Sequence, residues 1–443
     1  MDSRTIAAIS TAPGTAGVAV IRVSGARARD VATALAGRVP SPRRAILALI
    51  RDPATGGYID RGIILWFPGP SSFTGEDVLE LQVHGGRAVV AAVLRAVLSV
   101  EGVRLAEAGE FTRRAFENGR MDLAEIEGLA DLLLAETEAQ RRQAFALYSG
   151  RLTGEADRLQ HAILPVLAMI EASIDFPDEG DVASATLAEA RSRLAEVRKD
   201  IRTLVEDAAR AERVRDGVTV VIAGPPNAGK STLLNALARR DVAIVSPTPG
   251  TTRDSIEVHL DLAGVPVVLV DTAGLRESAD PVEQEGMRRA EARIASADLT
   301  LWLSREQDEV PAGTGGPAAA ADMGTWRIQT QIDRGRPADE RARHRLSAVS
   351  GEGMAAFLAD LAAYAADRIG GEPALVVHER HRAIFAEALS ALEGALGMPH
   401  WEASAELVAE CLRAALASLG RSRGRIGSEA MLDQLFSTFC IGK

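Results

Sequence analysis

The spacing of hydrophobic and polar residues changes along the chain, and the first pattern is that of short strands. Up to about residue 118, runs rich in Val, Ile and Leu are separated by turns that contain Gly and Pro, a pattern typical of strands. A run with helical spacing, residues 87–98, follows the pair Gly85-Gly86. We therefore predict an α+β domain here. Its predicted strands are residues 6–9, 18–23, 63–67 and 78–83.

The second pattern, from residue 123 to residue 213, is that of amphipathic helices. Apolar side chains recur at helical spacing in two stripes, and one stripe tolerates Pro165 near a helix start or at a kink. Because such stripes usually pack against other helices, we expect a helical domain, and helical spacing returns after residue 379. The stripes consist of Leu187, Leu194, Val197, Ile201, Leu204 and Val205, and of Ile163, Leu164, Leu167 and Ile170.

Between these helical regions, from about residue 217 to residue 369, apolar strands alternate with helices, which predicts a parallel α/β sheet. The simplest architecture inserts this domain into a helical domain whose two halves pack together, since domain termini usually lie close in space. The expected fold class is multi-domain α+β and α/β, with an N-terminal α+β domain, an α-helical domain and an inserted domain with a mostly parallel sheet. The predicted domains are residues 1–118, 119–214, 215–372 and 373–443.

The composition favours a soluble globular protein over a membrane or secreted one. With 47% hydrophobic and 25% charged residues, the chain has the composition of a soluble globular protein. No apolar run reaches the ~18 residues of a membrane span, and the N-terminus lacks the apolar core of a signal peptide. Two cysteines form no disulfide framework, so we expect a cytoplasmic protein that does not bind membranes. The net charge of −11 argues against a generally basic nucleic-acid binder, although a local basic face for RNA stays open.

One motif in the inserted domain carries the clearest chemistry. Residues 224–231 read Gly-Pro-Pro-Asn-Ala-Gly-Lys-Ser and lie between a predicted strand, 218–223, and a predicted helix. Gly224 and Gly229 allow the loop to curl with its N–H groups inward, where they and the helix N-terminus bind phosphate oxygens. An ordinary Gly-rich turn is the alternative, but its placement between a strand and a helix favours a P-loop that binds a nucleoside triphosphate.

Two further groups of residues extend this site. Lys230 would contact the β and γ phosphates, and the hydroxyl of Ser231 would bind magnesium. Residues 271–274, Asp-Thr-Ala-Gly, follow another predicted strand. There Asp271 can hold magnesium through water, and the amide of Gly274 can approach the γ-phosphate.

The segment between these motifs is a candidate mobile loop. Residues 247–254 read Pro-Thr-Pro-Gly-Thr-Thr-Arg-Asp, which is polar and punctuated by Gly and Pro. A threonine in this loop can close over magnesium only when the γ-phosphate is present. For the loop taken alone, a plain surface connection remains the alternative.

The base is predicted to be guanine. A carboxylate can accept hydrogen bonds from both guanine N1–H and the exocyclic amine, and GTPases usually place it in Asn-Lys-x-Asp. Here the corresponding residues are Thr330-Gln331-Ile332-Asp333, and Ser347-Ala348 matches the base-contacting motif that follows. Asp333 favours GTP over ATP, whereas the missing Asn-Lys pair leaves open a relaxed or weakened nucleotide site.

Several motifs outside the inserted domain complete a family pattern. They are Phe-Thr-Gly-Glu-Asp-Val-Leu-Glu at 73–80, Gly-Glu-Phe-Thr-Arg-Arg-Ala-Phe at 109–116, Met-Asp-Leu-Ala-Glu at 121–125 and the tail Phe-Cys-Ile-Gly-Lys at 439–443. With them, essentially the whole chain resembles the MnmE (TrmE) family of bacterial tRNA-modification GTPases.

This resemblance implies a function for the chain. The family forms homodimers and joins the FAD-dependent protein MnmG in a heterotetramer. Together they install an aminomethyl-type (carboxymethylaminomethyl) group at carbon 5 of the wobble uridine of certain tRNAs. A GTPase switch for ribosome assembly or membrane-linked regulation is the alternative, but it gives no reason for the N-terminal domain or the C-terminal tail.

The resemblance also implies a folate site in the N-terminal domain near the dimer interface. The ligand would be 5-formyl- or methylene-tetrahydrofolate, which supplies the one-carbon unit. Cations suit the glutamate tail of folate and a carboxylate suits the pterin ring, although residue type alone would make Arg22 and Glu80 ordinary strand-end surface residues. Relatives can carry Lys at position 120, and Arg keeps the charge while changing the geometry. The implied contacts are Arg22, Glu80, Arg120 and Lys443.

Finally, the resemblance implies potassium-dependent hydrolysis, with potassium in the place of an arginine finger between paired GTPase domains. Asn227, Ser246, Thr248 and Thr251 would ligate potassium. Ser231 and Thr252 would hold magnesium. By residue type alone, Asn227 is a turn residue. The residues expected to contact GTP are Asn227, Ala228, Gly229, Lys230, Ser231, Thr232, Ser246, Thr251, Thr252, Asp271, Thr272, Ala273, Gly274, Asp333, Ser347 and Ala348.

Two further residues have an implied or possible catalytic role. In the family, Glu283 orients the attacking water, whereas by residue type alone it is a solvated glutamate at a helix start. Cys440 invites a nucleophilic role because a nearby lysine lowers the pKa of a thiol, but it can equally serve to shape the folate site. The expected catalytic residues are Glu283, Asn227, Lys230 and Cys440.

Overall fold

The protein divides into two compact units. Met1–Ala130 together with Arg421–Lys443 form the first, and Asp131–Gly420 form the second. The structure, a computed structural model, describes residues 4–175, 180–225, 227–240, 242–244, 257–271, 297–305, 324–335, 337–424, 432, 435–437, 439 and 441–442.

The first unit contains a six-stranded sheet. Its strands are β1 (Thr5–Ile9), β2 (Ala16–Ser24), β3 (Ile46–Arg51), β4 (Tyr58–Phe67), β5 (Val78–Gly85) and β6 (Val103–Leu105). The strand order is β3-β4-β5-β2-β1-β6, and in the part of this unit that the structure describes the β1–β6 pair alone is parallel. The first helices of the chain are α1 (Ala28–Ala36), α2 (Arg87–Leu98), α3 (Glu110–Glu117) and α4 (Leu123–Leu134).

Alternation along these strands decides what each face of the sheet buries. Side chains such as Val23, Trp66 and Leu81 enter the main core, which they share with Val31 and Val93 of α1 and α2. On the opposite face, Ile6 and Ala8 of β1 pack with Phe111 of α3 and with Phe73. Among the described residues, β3 and β4 expose the apolar side chains of Leu47, Leu49 and Ile63.

Four long helices of the second unit pack in a ring. The helices of this unit before the α/β part are α5 (Glu138–Tyr148), α6 (Arg151–Asp175), α7 (Gly180–Glu206) and α8 (Ala208–Asp216), and those after it are α11 (Glu379–Gly397) and α12 (Ala405–Gly420). α6 packs on α7, α7 on α11, α11 on α12 and α12 on α6. Two helices before the α/β part and two after it therefore form one bundle.

The predicted stripes contribute buried side chains to the interior of this bundle. Ile163, Ile170, Leu194 and Ile201 are completely buried. The prediction was wrong for Leu164, which is 49% exposed, because a residue next to Ile163 is turned about 100° away from the stripe on a helix. α6 continues without a break through Pro165.

The α/β part of the second unit has the predicted, mostly parallel sheet. Its elements are β7 (Val218–Ala223), α9 (Lys230–Ala238), β8 (Glu257–Leu262), β9 (Val265–Asp271), β10 (Leu299–Ser304), β11 (Gly324–Gln329), β12 (His344–Arg345) and α10 (Met354–Ile369). The order is β12-β11-β10-β7-β9-β8, and among the strand pairs of the described residues the β8–β9 hairpin alone is antiparallel. The expected multi-domain α+β and α/β fold class is confirmed.

Polar contacts fix this sheet to the helices before it. The N-terminal amide of α5 at Ala139 donates to the carbonyl of Gly264 in the β8–β9 turn (2.9 Å). Arg213 of α8 pairs with Asp298 at 2.6 Å, and the other carboxylate oxygen of Asp298 accepts from the amide of Thr219 (3.0 Å). Asp298 therefore links the start of β7 to α8. Among the helices that the structure describes, none has both the length and the apolar character needed to cross a bilayer.

Candidate functional site

The loop between β7 and α9 has the backbone of a phosphate cradle. Gly224, Asn227 and Gly229 all have positive φ, at 144°, 61° and 96°. A Cβ at Gly224 would lie 2.2 Å from the carbonyl oxygen of Leu303, so glycine is required by both the backbone angle and the space. Gly229 is the N-cap of α9, and the helix N-terminus therefore opens directly from this loop.

Two side chains at the start of α9 have defined partners. The ammonium of Lys230 donates to the carbonyls of Gly224 (2.8 Å) and Pro225 (3.1 Å), so it bends back over the loop. The hydroxyl of Ser231 donates to Oδ2 of Asp271 at 3.1 Å, although the two residues are 40 positions apart. The helix begins at Lys230, and Thr232 is exposed in its first turn.

The Ser231–Asp271 pair fits a magnesium site. Asp271 ends β9 and is only 6% exposed. A hydroxyl and a carboxylate at the mouth of a phosphate loop are hard oxygen ligands of the kind that magnesium prefers. Parallel β7 and β9 are neighbours in the sheet, and this pairing brings the ends of both predicted motifs together.

On the base side, Asp333 lies in a short 3-10 helix, Ile332–Arg334. Its carboxylate is exposed, and no partner for it is found in the described part of the chain. Gln329, which was not among the predicted site residues, organises this segment. Its Nε2 donates to the carbonyl of Pro337 (2.6 Å), and its Oε1 accepts from the amide of Asp339 (3.0 Å). β11 reads Gly-Thr-Trp-Arg-Ile-Gln, so a further polar residue at its end is no distinct local signal.

The loop at Ser347 is tied to the same strand. The amide of Leu346 donates to the carbonyl of Gln329 at 2.8 Å. Ser347 is completely buried, and its hydroxyl accepts from the amide of Ser350 (3.1 Å). Ala348 packs partly buried against the core of the sheet. Both predicted base-contacting segments are thus anchored at the end of β11.

The predicted folate residues Arg22 and Glu80 face each other on neighbouring strands. Arg22 Nη2 and Nε lie 2.9 and 3.1 Å from Oε1 of Glu80, and the two side chains are 20% and 17% exposed. The guanidinium lies 5.5 Å from the ring centre of Phe73 and 6.0 Å from that of Phe111. These are half-buried residues of a charged and aromatic cluster, unlike ordinary strand-end surface residues.

Arg120 and the C-terminal tail lie elsewhere on the same unit. Arg120 is exposed, and its side-chain stem lies beside Gly75, where an added Cβ would be 3.2 Å from Cγ of Arg120. Ile441 forms a bridge with Ala108, and Ser10 donates its hydroxyl to the carbonyl of Gly442 (3.1 Å). The tail therefore lies beside the end of β1, one strand away from Arg22.

A buried ionic network supports this region and was not predicted. Arg114 of α3 is 7% exposed and lies 3.0 Å from carboxylates of both Glu76 and Glu110. It also donates to the carbonyl of Arg4 (2.9 Å). Burial would raise the pKa of Glu110, but hydrogen bonds from Arg104, the Glu107 amide and Arg114 hold that pKa below its usual value. The motifs 73–80 and 109–116 are thereby joined.

Some predicted site residues lie outside the described part of the chain, and their roles stay predictions. They are Ser246, Thr248, Thr251, Thr252, Thr272, Ala273, Gly274, Glu283, Cys440 and Lys443.

Comparison with known proteins places the whole chain in one family. Residues 123–440 match the model of the MnmE helical domain, and residues 5–120 match that of the GTP-binding protein TrmE N-terminus. Three similar proteins are each named tRNA modification GTPase MnmE. The one from Rhodopseudomonas palustris strain CGA009 is 50% identical over 448 residues, covering 100% of this chain and 99% of its own length. Those from Azorhizobium caulinodans and Methylobacterium sp. strain 4-46 are 51% and 52% identical over 443 and 448 residues, covering 100% and 99% of this chain and 99% of each relative. The chain therefore belongs to the MnmE (TrmE) family of tRNA modification GTPases.

Proposed function

We propose that this chain hydrolyses GTP and acts in the modification of the wobble uridine of tRNA at carbon 5. The observation that carries the proposal is the meeting of Ser231 and Asp271 at a phosphate loop, in a chain whose full-length relatives are named tRNA modification GTPases. We further propose that an FAD-dependent protein of the MnmG type joins the chain in this reaction, because the family implies that partner.

The residues present fit the phosphates of GTP. Lys230 already lies against two carbonyls of the loop, and a triphosphate in the loop would offer its ammonium stronger, charged acceptors. Ser231 and Asp271 would hold magnesium, which neutralises charge on the β and γ phosphates when it is bound. Asp333, exposed and unpaired among the described residues, would accept hydrogen bonds from guanine.

We also propose that potassium stimulates hydrolysis through Asn227. Asn227 is an exposed residue of the phosphate loop with a φ of 61°. Asparagine tolerates this left-handed conformation better than most residues, and its side-chain oxygen suits a monovalent cation. Such a cation would neutralise charge that develops between the β and γ phosphates.

Hydrolysis of GTP is therefore expected to be faster in potassium chloride than in sodium chloride of equal concentration. Asn227→Gly removes the side-chain oxygen but keeps a residue that accepts a φ of 61°. The variant should lose the potassium stimulation, by about 10²-fold if the cation acts on the transition state. Initial rates in the two salts measure this effect.

The affinity for GDP serves as the control, since it should be similar in Asn227→Gly and in the unchanged protein. Equal rates of the unchanged protein in both salts would remove the potassium proposal. A variant that still responds to potassium would remove Asn227 as the ligand.

The first unit supports a folate site and a homodimer. The paired Arg22 and Glu80, beside the rings of Phe73 and Phe111, combine charge and flat apolar surface, as a pterin ring requires. We propose 5-formyl- or methylene-tetrahydrofolate as the ligand, and it supplies the one-carbon unit when bound. Exposed apolar side chains on β3 and β4 (Leu47 at 53%, for example) favour association of two copies through this unit.

Nucleoside analysis of tRNA tests the function itself. Cells that lack this chain are expected to lose the carbon-5 modification of the wobble uridine, and a plasmid that encodes the chain should restore it. A plasmid with Lys230→Met should fail to restore it, because GTP hydrolysis is lost. Unchanged modification in the deleted cells would instead favour a GTPase switch without modification chemistry.

A further inference from the structure

The guanine segment of this chain departs from the usual Asn-Lys-x-Asp at its first two residues, Thr330 and Gln331. Both side chains nevertheless reach the phosphate loop. The hydroxyl of Thr330 donates to the carbonyl of Ala228 at 2.5 Å, and Nε2 of Gln331 donates to the carbonyl of Asn227 at 3.0 Å. Two consecutive residues of the base-side segment thus hold two consecutive carbonyls of the phosphate loop, about 100 positions earlier in the chain.

Thr330 is itself rigidly placed. It is 3% exposed, and its amide donates to the carbonyl of Ser304 at the end of β10 (2.9 Å). Gly229 lies against both side chains, since an added Cβ would be 3.7 Å from Oγ1 of Thr330 and 3.8 Å from Nε2 of Gln331. The phosphate loop therefore rests on a support that is fixed to the central strands of the sheet.

Of the two polar atoms of the Gln331 side-chain amide, Nε2 alone has a hydrogen-bond partner among the described residues. Because a carbonyl cannot donate, the group that faces the Asn227 carbonyl must be Nε2. The other end, Oε1, is buried and receives no hydrogen bond from any described residue. A buried acceptor without a donor is unfavourable. Lysine, the usual residue here, has donors and no acceptor, so it would hold the same carbonyl without this penalty.

We propose that Thr330 and Gln331 are positioning residues that clasp the phosphate loop, and that this neutral clasp replaces the usual Asn-Lys pair. The clasp holds Asn227 and Ala228 in the conformation that turns the loop amides towards the phosphates. Recognition of the base is left to Asp333, two residues further on. The inference rests on the proposed binding of GTP and assigns the residues that keep the site ready for it.

Two matched pairs of variants of the full chain separate the donor groups from the space that they fill. Thr330→Val removes the hydroxyl and keeps the shape, whereas Thr330→Ser keeps the hydroxyl. Gln331→Met removes the donor, whereas Gln331→Lys keeps a donor and removes the unpaired acceptor. Each lost hydrogen bond leaves a loop carbonyl unpaired and should weaken GDP binding about tenfold.

Binding of fluorescent GDP, measured as its dissociation rate and Kd, is the readout. We expect Thr330→Val and Gln331→Met to release GDP about tenfold faster, since such changes act mainly on dissociation. Thr330→Ser should bind like the unchanged protein, and Gln331→Lys should bind equally well or more tightly. Cooperative thermal unfolding without nucleotide shows that each variant is folded, and the lost hydrogen bonds are expected to lower the midpoint in Thr330→Val and Gln331→Met by a few degrees at most.

Two outcomes would contradict the proposed role of Thr330 and Gln331. GDP binding by Thr330→Val and Gln331→Met that equals that of the unchanged protein would remove it. So would Thr330→Ser and Gln331→Lys variants as weak as their partners, because the donors would then be irrelevant. Failure of the unchanged protein to bind GDP would instead contradict the proposed function, so the two failures are distinguishable.

Discussion

Replacement of Lys230 by methionine is expected to reduce GTP hydrolysis by about 10²–10³-fold, the loss typical when one group that stabilises transition-state charge is removed. Methionine has a similar length and no charge, so the variant tests the ammonium and little else. That ammonium lies 2.8 Å from the carbonyl of Gly224, directly over the phosphate loop. Without it, charge that develops on the γ-phosphate loses its nearest cation from the loop itself. Release of phosphate from GTP under single-turnover conditions measures the loss.

Lys199→Met is the matched control. Lys199 is exposed on α7. This helix belongs to the helical bundle and does not carry the phosphate loop. This variant should hydrolyse GTP like the unchanged protein, because a distant exposed charge is screened by salt. Equal activity of Lys230→Met and the unchanged protein would exclude the predicted role of Lys230, and an equal loss in both variants would exclude a local cause.

Replacement of Arg114 by methionine is expected to destabilise the first unit by about 2–3 kcal/mol, because two carboxylates and one carbonyl lose the hydrogen bonds of a buried guanidinium. Arg114 serves two carboxylates, Glu76 and Glu110, and one backbone carbonyl. Methionine fills similar space but leaves all three acceptors without this donor. Thermal or denaturant unfolding of the full chain, followed at the transition of the first unit, measures the change.

Arg113→Met provides the comparison on the same helix. Arg113 pairs with Glu117, and their side chains are 38% and 24% exposed. Exposed pairs at this spacing contribute at most about 1 kcal/mol, so this variant should unfold close to the unchanged protein. A small effect of Arg114→Met, similar to that of Arg113→Met, would contradict the buried network.

The same network makes the stability of the first unit depend on pH. The pKa of Glu110 is lowered in the folded chain, because hydrogen bonds from Arg104, the Glu107 amide and Arg114 outweigh the effect of burial. Its contribution is therefore complete above the ordinary pKa of glutamate and is lost as pH falls through the lowered folded value. The difference between Arg114→Met and the unchanged protein should shrink in acid over that range.

Most of the sheet in the first unit could be predicted from local pattern, but its edges could not. The predicted strands at 6–9, 18–23, 63–67 and 78–83 fall within β1, β2, β4 and β5. β3 and β6 were missed. β3 is an edge strand whose outward residues, Leu47 and Leu49, are apolar, so the alternation that normally reveals a half-buried strand is absent. β6 has only three residues and is too short to show a period.

The kind of site follows from local sequence, because the glycines, the lysine and the serine of the phosphate loop lie within residues 224–231, between a strand and a helix. Which distant residues meet follows from the tertiary structure alone. Ser231 reaches Asp271 because β7 and β9 pair in the sheet. Thr330 reaches Ala228, 102 residues away, because β10 pairs with β7 on one side and with β11 on the other. Local spacing records how each segment folds and which face it buries, whereas contacts across the sheet depend on strand order, which no local pattern encodes.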